Sequence, residues 1–220
     1  KNVGTGLSLT PAGLANDGNG GNNYTYTYVS TSNGVINPQA ITVTAAANTK
    51  TYDGTTTASV IPTVTSGMIM TGDTGNFSQT YANKNVGTGL SLTPAGLVND
   101  GNGGNNYTYT YINGNVGVIN PLAVILSGTR TYDGTTNANA SILSVSNVLS
   151  GDTVNVMSGN AILASQNAGS EMISSVGTLA LNNSNYTLTG ASGSVTVNQA
   201  PLTLVASKSY DGTTTLNGDV

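Results

Sequence analysis

Residues 23–29 read Asn-Tyr-Thr-Tyr-Thr-Tyr-Val, a strict alternation that puts Tyr24, Tyr26 and Tyr28 on one face of an extended chain and Thr25 and Thr27 on the other. The same period of two, or short apolar runs rich in β-branched residues, predicts further strands at 34–36, 40–46, 58–65, 76–82 and 86–97. Thr-Gly-Asp, Gly-Asn-Gly-Gly and Asn-Gly clusters between these segments read as turns. Only residues 141–152, SILSVSNVLSGD, carry some helical spacing. The pattern predicts an all-β or nearly all-β protein.

The pattern also repeats. Residues 1–28 recur at 84–111 with one change, Ala15 against Val98, and GVINP at 34–38 returns at 117–121 with the same offset. A diverged third copy begins at Asn167 and ends in VNQAP at 197–201; in it Tyr107 and Tyr109 become Tyr186 and Leu188, while Tyr111 becomes Gly190. The first two positions of the tyrosine stripe are therefore expected to face a core and the third to be looser. A period near eighty is too long for a solenoid coil and suits a small domain with its own interior. Boundaries are expected at Pro38, Pro121 and Pro201, where proline donates no ladder hydrogen bond and forces the preceding residue into an extended conformation. The expected organisation is the tail of one repeat (1–38), two complete repeats (39–121 and 122–201) and the start of the next (202–220). Junctions at VINPQ and VINPL contain no Gly/Ser linker, which implies restricted bending in an elongated array.

One hexapeptide marks each repeat: TYDGTT at 51–56 and 131–136, SYDGTT at 209–214. Asp-Gly is a strong turn signal, because Gly takes positive φ freely and Asp accepts hydrogen bonds from amides just ahead of it. Tyr adds an apolar ring and a hydroxyl that needs a partner. A cation stands two residues before each Tyr. The expected pinned turns are therefore Lys50, Tyr52, Asp53, Gly54 and Thr55; Arg130, Tyr132, Asp133, Gly134 and Thr135; and Lys208, Tyr210, Asp211 and Gly212. Each exposed cation–aspartate pair is worth at most about 1 kcal/mol.

Composition narrows the chemistry. Only 6% of residues are charged, against roughly 25% in ordinary soluble proteins, and the surface must rest on Thr, Ser, Asn and Gly. Without His or Cys, neither Ser-His-Asp nor Cys-His catalysis nor a thiolate metal site can be built. Each repeat holds few carboxylates, all but Glu171 beside Gly or Asn in turn-like sequence, which argues against a paired-carboxylate hydrolase. Five Lys and Arg cannot neutralise a phosphate backbone, so nucleic acid is not expected, and no apolar run is long enough to insert into a membrane. The oxygen-rich NDGNGGNN segments at 16–23 and 99–106 make Asp17 and Asp100 calcium candidates, with neither the EF-hand nor the nonapeptide spacing. A covalent Lys-Asn crosslink would have to use Lys50 or Lys84, and the next repeat offers only Arg130. Exposed tyrosine faces would suit carbohydrate.

The ordered set of motifs, K/R-x-Y-D-G-T-T, then LSGDTV (149–154) or MTGDTG (70–75), KNVGTG (84–89), NYT-x-T and a closing NP or AP, resembles the YDG-type repeat of large secreted bacterial adhesins, with mirror β-grasp-like modules in tandem as in filamentous-haemagglutinin-like proteins. The resemblance implies small β-grasp-like domains; an immunoglobulin-like sandwich is the alternative fold. It implies a non-catalytic stalk without cofactor, at the bacterial cell surface or outer membrane, whose partners are neighbouring repeats and, through other regions, host glycans or proteins. A calcium- or carbohydrate-binding adhesion module is the alternative function.

Overall fold

The structure is a computed structural model that describes residues 1–210 and 212–214. Two compact units form, Lys1–Leu122 and a second from Ala123 onward. The first opens with a hairpin of β1 (Gly4–Leu9) and β2 (Thr31–Ile36). It continues with β3 (Gln39–Thr44), β4 (Asn48–Thr51), β5 (Thr63–Ser66), β6 (Thr74–Tyr81), β7 (Gly87–Asn99), β8 (Tyr107–Ile112) and β9 (Gly114–Asn120). These seven strands make two sheets, ordered β5-β3-β8 and β4-β9-β7-β6. The beginning of the repeat pairs with its end: β3 runs parallel to β8 and β4 parallel to β9, while β6, β7 and β9 are antiparallel neighbours. Those parallel pairs set the module apart from the antiparallel sheets of an immunoglobulin-type sandwich. Ile41, Val43, Val98 and Tyr107 form a buried cluster, with Val64, Ile69, Phe77 and Tyr109 packed on it.

Residues 1–28 and 84–111 are nearly identical in sequence and meet different surroundings. Leu92, Tyr107 and Ile119 are 0%, 4% and 1% exposed, whereas their counterparts Leu9, Tyr24 and Ile36 are 54%, 60% and 41% exposed. The strand expected at 23–29 does not form, although the same letters make β8. The physical reason is pairing. β8 takes its ladder from β3, and among the described residues no strand pairs with 23–29. Strand formation here is a property of the assembled repeat more than of the segment. Full burial of one such leucine is worth about 1.5–3 kcal/mol, so the first half of a repeat supplies much of what holds the second half.

The second unit contains β10 (Leu122–Thr131), β11 (Asn137–Asn139), β12 (Leu143–Val145), β13 (Val156–Ser158), β14 (Asn160–Leu163), β15 (Gly169–Ser175), β16 (Ala180–Leu181) and β17 (Tyr186–Asn198). Six of them form one sheet, β11-β14-β15-β17-β10-β12, and β13 pairs with β16. Its interior includes Val124, Leu126, Leu163, Tyr186, Val195 and Val197. The helical spacing at 141–152 yields only a single 3₁₀ turn, Ala140–Ile142, capped by the Asn139 side chain, before the chain enters β12. Three sequence segments thus shorten or change: 141–152 becomes turn and strand, 58–65 keeps only β5, and 23–29 is irregular.

Candidate functional site

The YDG motif builds the same turn twice. Gly54 and Gly134 both have φ +75°, a left-handed conformation that carries no Cβ penalty only for glycine. The Thr55 amide and hydroxyl both donate to Asp53 Oδ1, each at 2.9 Å, and Thr135 does the same to Asp133. The cation closes the loop: Lys50 Nζ donates to Asp53 Oδ1 (2.7 Å) and to the Thr55 carbonyl (2.8 Å), and the Arg130 guanidinium reaches Asp133 and the Thr135 carbonyl in the same way. Burial pushes the Asp53 carboxyl up, and the Lys50 and Thr55 hydrogen bonds outweigh it, leaving the group below its ordinary range. For Asp133 the Thr135 amide leads and Arg130 adds to it. In the third copy Gly212 has φ +77° and Lys208 Nζ donates to Thr213 Oγ1 at 2.7 Å; Asp211 lies outside the described residues. Tyr52 is buried, Tyr132 partly exposed and Tyr210 exposed, so the three tyrosines do not share one environment.

A second turn is pinned from a distance. Tyr107 Oη donates to Asp73 Oδ2 at 2.7 Å and accepts the Met70 amide at 2.9 Å, tying the Thr-Gly-Asp turn to the start of β8. Tyr186 repeats this with Asp152 (3.0 Å) and the Leu149 amide (2.9 Å). The recurrence of GDT and NYT in one order therefore has a structural cause. Desolvation and then the Asp73 hydrogen bond raise the Tyr107 hydroxyl above its usual pKa.

The calcium candidates are braces. Asp100, 3% exposed, accepts the amides of Asn102 and Gly104 on Oδ1 (2.7 and 2.8 Å) and that of Asn106 on Oδ2 (2.9 Å). Burial raises this carboxyl and the amides of Gly104, Asn102 and Asn106 together hold it below its ordinary value. Asp17 holds Asn19, Gly21 and Asn23 in the same pattern. Both oxygens thus face the positive ends of N–H dipoles of their own loop. Among the described residues no three His, Cys, Asp or Glu side chains converge as metal ligands. The tyrosine stripe is also engaged: Tyr109 Oη accepts the Val98 amide and donates to the Gly104 carbonyl, and Tyr111 stacks on Tyr109 with ring planes 2° apart and donates to the Gly96 carbonyl. Tyr107 and Tyr109 pack inward and Tyr111 is more exposed, as the copy-to-copy substitutions indicated.

Sequence reasoning missed a buried polar group. Asn48 and Gln79 are each 2% exposed. Gln79 pairs both ways with Ala46, accepting its amide (2.9 Å) and donating to its carbonyl (2.8 Å). Asn48 Nδ2 donates to Tyr81 Oη (2.7 Å), Tyr81 Oη lies 2.8 Å from the Asn48 carbonyl and 3.0 Å from that of Val118, and Asn48 Oδ1 accepts the Val60 amide (2.9 Å). The signal was present between copies, because Gln79 and Tyr81 become Ala161 and Leu163, both buried, and Asn48 becomes Gly128. Lys50 is held in its turn with its Nζ 5.3 Å from the Tyr81 ring centre, and Lys84 Nζ lies 5.8 Å from that of Tyr52.

The model of a protein family described as the YDG domain matches residues 37–114 and again 118–195. Searches of curated proteins and of solved structures return no match.

Proposed function

Because the chain belongs to the YDG domain family and carries two copies of that domain in tandem, we propose that it is a non-catalytic structural stretch, a stalk or spacer, of a secreted or surface-attached bacterial adhesin. The observation that supports this most is where the recurring chemistry goes. In each complete repeat the motif aspartates, their cations and the paired tyrosine hydroxyls are hydrogen-bonded to turns of their own repeat. Groups held this way fix a shape and present no convergent acid, base or nucleophile to a substrate. Few Lys or Arg side chains leave few sites for trypsin-like proteases, which suits an exposed extracellular position. Small folded modules in series lengthen a chain by a fixed step per repeat, and neighbouring repeats are its natural partners.

The test is display. A known binding domain carried on a cell surface by one, two or three copies of residues 39–121 should reach a tethered target at distances that grow with copy number. The 220-residue chain alone should show no saturable binding to glycans or host cells, and excess Ca²⁺ should leave its melting midpoint unchanged, since a ligand of the folded state must raise it. Saturable binding or a calcium-dependent midpoint would replace the spacer with a ligand-binding module.

A further inference from the structure

The KNV motif and the Asn of NYT meet in the first unit. Asn106 sits between the Asp100 loop and β8, and its polar groups point in two directions. Its amide goes to Asp100 Oδ2 and its Oδ1 accepts Asn102 Nδ2 at 3.0 Å, both inside the loop. Its carbonyl accepts the amide of Gln39, the residue after Pro38, at 2.9 Å. The same Oδ1 accepts the Val3 amide at 2.9 Å, and Nδ2 donates to Asn2 Oδ1 at 3.3 Å. One side chain thereby grips the Lys-Asn-Val segment of the preceding copy while its main chain holds the junction.

We propose that this asparagine is a clasp that sets the angle between a repeat and the one before it, and that its partner is the Asn-Val main chain and side chain of the preceding KNV motif. The inference rests on the spacer reading for its purpose and on the geometry for its substance. Asn suits the position because it alone offers a donor and an acceptor on one short planar group, matching Asn2 Oδ1 and the Val3 amide together. The loop does not need the clasp to form. In the first copy Asn23 keeps the inward half, its amide on Asp17 Oδ2 and its Oδ1 accepting Asn19 Nδ2. The third copy shortens the loop, loses its acid and its glycines, and retains an asparagine, Asn185, directly before Tyr186, with its amide on Asn183 Oδ1. A residue needed only for the Asp100 loop would have had no reason to stay.

The full 220-residue chain tests this. It has no cysteine, so Ser32→Cys with Ser78→Cys, both exposed, places one spin label on each side of the joint. Pulsed electron–electron resonance should give one narrow distance distribution. Asn106→Ala should broaden it at least twofold, and so should Asn2→Ala combined with Val3→Pro, which removes both partner groups and leaves the loop intact. An unchanged width in that second variant overturns the clasp, whatever Asn106→Ala does, as does a parent distribution already as broad as the variants. Either result leaves a jointed spacer standing, whereas saturable ligand binding by the chain would remove the spacer and leave the clasp.

Discussion

Asp100 is a carboxylate enclosed by amides, and its charge is part of its loop. Its pKa lies below the ordinary value in the folded chain, as do those of Asp17, Asp53 and Asp133. A depressed folded pKa contributes stability that is fully present above the unfolded pKa of about 3.9 and is lost as pH falls through the folded value. The melting midpoint should therefore be flat from neutral pH to about 5 and drop steeply below about 4. Asp100→Asn keeps one acceptor oxygen, as Asn183 does in the third copy. It should lower the midpoint by several degrees at pH 7 and make the acid drop shallower, which thermal melts across pH will show. Tyr81→Phe tests the buried group from the other side. It leaves the Asn48 amide and two carbonyls without their partner and should cost about 1–3 kcal/mol in chemical denaturation. The YDG and GDT turns were legible in the sequence because their geometry is local and chemically distinctive. Asn48 and Gln79 were not, because an Asn or Gln among so many gives no sign of burial until its partners, 33 positions away, are placed.

Between elements, the pairing of β6 with β7 depends on a residue that has no side chain. Gly96 lies opposite Phe77 with φ +119°, and a Cβ there would stand 2.1 Å from the Asn76 carbonyl oxygen. Gly96→Ala should cost more than the roughly 1–2 kcal/mol of the left-handed backbone alone, because the sheet must also part. Gly13, its counterpart at φ +124°, faces open space, so Gly13→Ala should cost little beyond that backbone term. Parallel denaturation curves of the two variants separate the contributions. The same contrast explains which strands could be read from the sequence. Alternation placed β3, β6 and most of β7 closely, since each has a buried face in the complete repeat. It failed at 23–29, where the pattern is as good as in β8 and no strand among the described residues pairs with it. It also suggested helical spacing at 141–152, where the chain's apolar positions serve a 3₁₀ turn and a three-residue strand.

Across the whole molecule, the internal repetition in the sequence and the all-β architecture agree, and the pairings make each complete repeat depend on its own two ends. β3 needs β8 and β4 needs β9, contacts that span most of residues 39–120. Among the described residues the ladder partners of β3–β9 lie within residues 39–120. The account therefore stands on each repeat of about eighty residues collapsing around an interior of its own. The most direct measurement is equilibrium unfolding of residues 39–121 produced alone, followed by calorimetry and by tyrosine fluorescence. The account predicts one cooperative transition, coincident in both probes, with calorimetric and van't Hoff enthalpies in agreement. A gradual, non-cooperative change, or a folded state that appears only when residues 122–201 are attached, would contradict it.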